Sequence, residues 1–415
     1  MLYLLGVLAF ALGILVSVSL HEAGHMLTAK YFGMKVTRYF VGFGPTIWSF
    51  RRGETEYGIK AIPLGGFCKI VGMTPQDDDV EPGDEKRVMW RYPVWKRTIV
   101  MSAGSITHFA LAIGTLWIAA IFMGLPNADY PSSEEEVRAE PAVINVADCV
   151  VVENVARECA ADDPTSPAAA AQLRDGDRIT RINDTPVTNW GEMLDVVRAT
   201  PPGPATVAYE RDGVTHTTDI DLIAVQRAPL GDPDGAVAPV SAMGVGLRVS
   251  TPAMVTYGPV DAIGATVDYT GNMAVGTVQA LQRLPQKIPA LWDAITGAER
   301  DIDTPISVVG ASRLGGEAVQ HGLWELFVLL FVSLNFFIGV FNLLPLLPLD
   351  GGHIAIAWFE RARSWLWARL GKPDPGRVDY FKLMPITYAV ILIGGAFTLL
   401  TITADVINPI TLISR

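Results

Sequence analysis

Charge is scarce in this sequence. Only 18% of its 415 residues are Asp, Glu, Lys or Arg, against 50% hydrophobic side chains, a balance that speaks against a soluble globule and for a membrane protein. Four long runs lack charge altogether: Met1 to Leu20, Thr98 to Leu125, Leu326 to Leu349 and Leu383 to Ala404. Each is long enough to cross roughly 30 Å of hydrocarbon as a helix. A secretory signal is the competing reading of the first run, but it fits poorly, with no basic segment before the run and no small-x-small cleavage site after it, and a span is expected. The charge that exists is acidic, net −11, and gives no sign of nucleic-acid binding. Cysteine is nearly absent, with three residues in all.

The distribution of charge sets an orientation. Residues 26–97 carry 12 Lys+Arg against 8 Asp+Glu, and residues 351–382 carry 6 against 3, whereas residues 126–322 carry 13 against 28. Cytoplasmic loops concentrate Lys and Arg, so the two short loops read as cytoplasmic and the acidic middle as extracytoplasmic. Cys149 and Cys159 then lie close together in an oxidising compartment and are expected to form a disulfide. Cys68, on the other side, is expected to remain a packed thiol.

Within the middle segment, residues 141–222 have the pattern of a small α+β domain. Arg178 to Asn183 alternates as a strand, Asp184-Thr185-Pro186 supplies a turn, and Met193, Leu194 and Val197 fall at helical spacing before TPPGP. Thr206 to Glu210 and Thr215 to Asp221 read as a hairpin closed at Asp212-Gly213. The stretch SPAAAAQLRDGDRITRINDTPV resembles a PDZ domain, a family that captures extended peptides or chain termini by strand addition. Bulk exclusion of large partners is the plainer alternative. Residues 258–288 are helical in pattern but interrupted, as expected of a helix at the membrane surface.

The chemistry sits where the first apolar run ends. His21-Glu22-Ala23-Gly24-His25 is HExxH: on a helix the two histidines share a face and can grip one zinc ion, with Glu22 placed to handle a proton from water. Buried hydrogen-bonded histidines are the bland alternative, but two imidazoles and a carboxylate at membrane depth each need a partner. A catalytic zinc needs a third protein ligand. His108, Asp350 and His353 are the candidates near the other spans. Asp350 is set apart by its surroundings, Asn342-Leu343-Leu344-Pro345-Leu346-Leu347-Pro348-Leu349-Asp350-Gly351-Gly352-His353, where two prolines break the helix and place the acid on irregular backbone facing something polar.

HEAGH in a first span, NLLPLLPLDGGH in a later one and a PDZ-like segment between them resemble the site-2 protease family of zinc intramembrane metalloproteases, nearest the bacterial regulator-of-sigma-E type and its actinobacterial members. The resemblance implies zinc ligands at His21, His25 and Asp350, with Glu22 as general acid or base. Asn342 would contact substrate backbone, and His353 would shape the turn. It further implies that VTRYFVGFGPTIWSFRRGETEYGIKAIPLGGFCKIVGM is a re-entrant β-hairpin that holds an unwound substrate, with Gly42, Phe43, Gly44 and Pro45 as its motif. The implied substrates are single-span membrane proteins of the anti-sigma-factor class. One departure stands out: relatives carry GPxxN in the second span, and this chain has Gly104-Ser105-Ile106-Thr107-His108. A hydrogen bond from His108 to a neighbouring helix is favoured over a metal contact.

The expected fold is a polytopic α-helical membrane protein with four transmembrane helices, a re-entrant β-hairpin and an extracytoplasmic PDZ-like α+β domain. Residues 1–125 would hold the first two helices and the hairpin loop, 126–322 the outer region and 323–415 the last two helices. The competing function is a membrane scaffold whose PDZ-like domain binds partners around a structural zinc.

Overall fold

A computed structural model describes residues 1–74, 80–155, 157, 159–232 and 235–412. The chain forms two compact units, one of residues 1–125 with 256–415 and the other of residues 126–255. Among the described residues four helices are long and apolar enough to cross a membrane, making it a multi-pass membrane protein.

In the first unit, α1 (Leu2–Tyr31) runs without interruption from the apolar segment through HExxH. It is followed by β1 (Val36–Arg52) and β2 (Thr55–Ile70), which turn at Gly53, where φ is +64°. These strands are more than a simple hairpin. Val41 faces both Gly66 and Ile59, and Arg38 faces both Lys69 and Glu56, so each strand folds back to make a small sheet. The corner is the GFGP stretch: Gly42 and Gly44 have φ of +90° and +80°, a region that side chains disfavour. A Cβ on Gly42 would also come within 2.8 Å of the Lys60 carbonyl. Tyr39 and Tyr57 hold the sheet to α1, through Tyr39 Oη donating to the Ser19 carbonyl and Lys30 donating to Tyr57 Oη. At the turn, Arg87 binds Glu54 with both ends of its guanidinium, which holds that carboxyl below its ordinary value.

The second span, α2 (Val94–Phe122), packs closely on α1 because Gly24 faces Ala103, where a Cβ would lie 2.7 Å from the Ala103 carbonyl. After β3 (Leu125–Pro126) the chain enters the second unit. There α3 (Glu134–Ala139), β4 (Ile144–Val146), α4 (Pro167–Ala170), β5 (Arg178–Ile182), β6 (Thr185–Pro186), α5 (Trp190–Ala199), β7 (Gly203–Arg211), β8 (Val214–Arg227), β9 (Ala238–Ala242) and β10 (Val245–Leu247) follow in order. A five-stranded sheet of order β6-β5-β7-β8-β9 carries α5 against its buried face. The β7–β8 hairpin closes at Asp212-Gly213, as its sequence predicts. Buried Asp177, which follows Gly176 at φ +93°, accepts from Arg211 Nε and Nη2 at 2.7 Å each. Cys149 and Cys159 are bonded, their Cα atoms 6.0 Å apart, and Cys68 is free.

The chain returns to the first unit as α6 (Asp261–Ile295), a 35-residue helix containing Pro285 and Pro289. Its Ala262, Tyr269 and Met273 join the apolar cluster that α2 and the third span share. Next comes α7 (Val308–Gln320), an element not expected from the sequence. It is small-residue rich and lies against α1: a Cβ on Gly316 would strike Val7 and one on Gly315 would strike Phe10. Buried Asp405 accepts from the Ser307 and Gly310 amides at its start and pairs with buried Arg300 at 2.8 Å.

The third span, α8 (Trp324–Asn342), is shorter than its charge-free run. Residues 343–349 leave the helix because Pro345 and Pro348 lack an amide hydrogen and clash with the preceding turn. A new helix, α9 (Asp350–Arg369), begins directly at Asp350. The acid is therefore the first residue of a helix, not part of irregular backbone, which corrects the sequence reading; the irregular stretch ends one residue earlier. Gly351 and Gly352 let that stretch fold onto the new helix, since a Cβ on Gly352 would come within 2.7 Å of the Leu346 carbonyl carbon and one on Gly351 would strike the Leu343 carbonyl. The last span follows as a short turn from Tyr380 to Leu383 and α10 (Met384–Ile407).

Candidate metal centre

Helical geometry puts His21 and His25 one turn apart on the buried face of α1, and both are buried. Their Nε2 atoms are 3.1 Å apart. Asp350, brought in at the start of α9, places Oδ2 3.5 Å from His21 Nε2 and 3.2 Å from His25 Nε2. Among the described residues this trio is the group of His, Cys, Asp and Glu side chains close enough to share an ion.

The triangle fits zinc on metric grounds. Tetrahedral ligands about 2.0–2.1 Å from zinc lie roughly 3.3 Å from one another, and the three observed edges bracket that length. Among the described residues, buried Asp350 Oδ2 has no hydrogen-bond donor besides the two imidazoles it faces. An unsatisfied carboxylate oxygen facing two imidazole nitrogens is costly without a cation.

The surroundings orient the donors. His25 Nδ1 lies 2.7 Å from the Val100 carbonyl, an acceptor, so Nδ1 carries the hydrogen and Nε2 carries the lone pair that points at Asp350. Gly104 on α2 leaves the space in which the imidazoles converge: a Cβ there would fall 2.5 Å from His25 Nε2 and 2.6 Å from His21 Nδ1. Val100 did not stand out in the sequence, and Gly104 did so only as the first residue of the second-span stretch Gly104 to His108, with no role given to it. A glycine beside Ala103 in a span was the available signal, since small residues mark close helix approach.

His108 does not join the cluster. Its Nδ1 bonds Asn335 Oδ1 of α8 at 2.9 Å, and Asn335 Nδ2 in turn donates to the Phe331 carbonyl, which fixes the amide's direction. His108 therefore donates from Nδ1, and its ring stands 5.0 Å from that of His21. Asn335 was missed as a partner, though a lone amide in an apolar span is itself a signal. His353, a turn after Asp350, stacks on Tyr380 at 5.8 Å.

Glu22 is largely enclosed and accepts from the Cys68 backbone amide on β2. A Cβ on Gly66 would meet Glu22 Cγ at 3.4 Å. The strand beside Glu22 is thus Gly66 to Cys68, while Gly42, Phe43, Gly44 and Pro45 form the corner of the same sheet, with Phe43 stacked on Phe67 at 6.2 Å. Asn342 ends α8, half-buried, and its side chain has no hydrogen-bond partner among the described residues. Separately, the second unit holds a cavity of about 450 Å³ between α5 and the β9–β10 segment, lined by Leu194, Val197, Val240, Met243 and Val245 with Arg198 and Arg227.

Comparison with known proteins places this geometry in a family. The sequence model of Peptidase family M50 matches residues 9–370. The chain is 43% identical over 412 residues to the zinc metalloprotease Rip1 of Mycobacterium bovis (strain BCG / Pasteur 1173P2), covering 99% of this chain and 100% of that protein. It is 44% identical over 417 residues to the zinc metalloprotease Rip1 of Mycolicibacterium smegmatis, again covering 99% and 100%. With the family match spanning both HExxH and Asp350 and these likenesses running end to end, the chain belongs to peptidase family M50, the site-2 proteases.

Proposed function

We propose that this M50 peptidase is a zinc-dependent endopeptidase that cuts single-span membrane proteins within the bilayer. The observation that carries the reading is the convergence of His21 Nε2, His25 Nε2 and Asp350 Oδ2 on one point, with Glu22 on the same helix. Zinc is also the metal in the names of the full-length relatives.

His21, His25 and Asp350 would hold the ion. Bound there, zinc supplies Lewis acidity toward water and toward the scissile carbonyl. Glu22 takes the proton from the attacking water and returns it to the leaving amine nitrogen. The Val100 carbonyl keeps the His25 lone pair directed inward, and enclosure by β2 shields Glu22 from bulk solvent. A substrate helix hides its carbonyls in internal hydrogen bonds, so it must unwind first. The sheet edge at Gly66 to Cys68, read as part of a re-entrant hairpin, offers main-chain bonds to an extended strand. Asn342 offers its free amide to the same backbone, and the Gly42 to Pro45 corner sets the bend of that sheet.

The bias of Lys and Arg in the short loops supports a site toward the cytoplasmic half and an extracytoplasmic second unit. That unit is read as PDZ-like, and its apolar cavity rimmed by Arg198 and Arg227 suits an extended peptide or chain end, whether for docking or for excluding uncut substrates. The substrate class we favour is membrane-anchored regulators such as anti-sigma factors, whose cut releases a cytoplasmic fragment. The rival, a scaffold with structural zinc, calls for a closed coordination shell, and three ligands among the described residues favour an open one. The test is bound zinc and cleavage of a tagged single-span reporter for wild type, His25→Ala and Asp350→Ala. Loss of both in each variant is expected, and cleavage by a zinc-free variant would overturn the proposal.

A further inference from the structure

Helix α9 continues well beyond the turn that delivers Asp350. Two ties fix how it lies along α2. Its first residue sits with His21 and His25, the rings that meet Gly104 of α2. Roughly three turns later, Glu360 pairs with Arg97 at 3.2 Å, both side chains nearly fully buried, and Trp358 Nε1 donates to Thr98 Oγ1 at 3.0 Å. Passing from Asp350 to Glu360 therefore retraces α2 from Gly104 back to Arg97, toward the end where that span begins. Arg97 immediately precedes the charge-free run Thr98 to Leu125, so Glu360 is level with the end of the apolar part of that span.

The composition of α9 changes at that point. Trp358, Arg361, Trp365 and Arg369 follow at spacings of three or four residues, a single face alternating aromatic and basic groups, and Lys372 lies just past the helix end, 5.4 Å from the Trp367 ring. Trp358 and Trp365 are 53% and 51% exposed, and the Arg369 guanidinium rests 4.3 Å from the Trp365 ring. Arg361, Arg369 and Lys372 have no carboxylate partner among the described residues. Their neighbours are already engaged: Arg363 donates to the Gly376 carbonyl, Arg377 binds Glu360, and Asp374 accepts from Ser364 and Gly376. Aromatic rings at the boundary with unpaired cations beside them are the make-up of a segment that rests on phospholipid.

We infer that the C-terminal half of α9 binds the headgroups of anionic phospholipid. Trp358 and Trp365 sit at the acyl boundary, and Arg361, Arg369 and Lys372 take the phosphates. An acidic protein is the weaker occupant, because the stripe is continuous with the end of a span and half of it is aromatic rather than basic. The binding is separate from the metal centre, so it stands or falls independently of the protease reading.

The test uses the purified full-length protein in neutral detergent, titrated with fluorescent phosphatidylglycerol or phosphatidylcholine. Wild type should prefer phosphatidylglycerol. The triple variant Arg361→Gln/Arg369→Gln/Lys372→Gln should lose that preference, by roughly a hundredfold at about fivefold per cation. A second triple with the same change of charge, Arg174→Gln/Arg178→Gln/Arg181→Gln, lies on the second unit and should bind as wild type does. Equal binding of the two lipids by wild type would overturn the inference. So would an equal loss in both triples, which would mean bulk charge, or displacement of the lipid by inorganic phosphate, which would mean a soluble-anion site.

Discussion

Gly104→Ala puts one methyl group into the candidate metal centre and tests whether the convergence of the imidazoles depends on that gap. The new Cβ would stand 2.5 Å from His25 Nε2 and 2.6 Å from His21 Nδ1, where ordinary contact begins near 3.4 Å. The rings would have to retreat by roughly 0.8–0.9 Å, several times the ±0.2 Å or so that a metal site tolerates. His25 cannot swing freely, because Val100 holds its Nδ1 at 2.7 Å. The alternative is for α2 to move off α1, undoing the approach at Gly24, at a cost of about 1–3 kcal/mol for an overpacked contact. By either route zinc retention should fall about 10- to 100-fold. Gly114→Ala, on the same helix with no atom within 4 Å of its added Cβ, is the control and should be neutral or slightly stabilising. The assay is zinc retained by each purified variant against graded chelator. If Gly104→Ala holds zinc like wild type, the site does not depend on that space and the geometric argument fails.

Other consequences are as direct. Glu360→Gln leaves Arg97 buried beside a neutral side chain and weakens the bond from Arg377 to the same carboxylate, and should destabilise the protein by about 3–5 kcal/mol, read as a lower melting temperature in detergent; an unchanged melting temperature would mean that the buried pair does not hold α9 to α2. Gly316→Val drives a branched side chain into Val7 and the Tyr3 carbonyl and should loosen α7 from α1, at about 1–3 kcal/mol in the same melt; an unchanged melting temperature would refute the close packing. In the second unit, Arg157 and the Ala160 amide pull the Asp163 carboxyl down to about 2. A depressed carboxylate stabilises the fold above its unfolded value and loses that contribution as pH falls. The Arg157–Asp163 link should therefore hold from neutral pH to below about 4 and disappear only near pH 2, followed by carboxyl carbon-13 resonances of labelled Asp in the full chain; titration near 4 would contradict it.

Much of the molecule was readable beforehand because its signals are local. The four spans follow from charge-free length, HExxH from helical spacing, and the Asp212-Gly213 hairpin from turn chemistry, whereas the corner at Gly42 was not read from the sequence. What escaped depends on partners distant in sequence. Helix α9 was read as loop because its apolar residues are interrupted by arginines, and it is fixed by the Arg97–Glu360 pair, which joins positions 263 residues apart. Helix α7 is short, weakly apolar and held by glycine contacts with α1 that no period announces. The third charge-free run overshot its helix because hydropathy does not register proline's missing hydrogen bond as strongly as the backbone does. The site was legible as residues but not as geometry: Val100 and Asn335 orient the centre without carrying any motif, and the stretch that begins at Gly104 did not announce the space that glycine leaves for the imidazoles.

The most direct test of the central claim separates metal binding from proton transfer in one variant. Glu22→Gln keeps the size of the side chain and leaves His21, His25 and Asp350 untouched. Purified Glu22→Gln should hold as much zinc as wild type while cutting the single-span reporter at least about 100-fold more slowly. A zinc-loaded Glu22→Gln that cuts at the wild-type rate would contradict the mechanism.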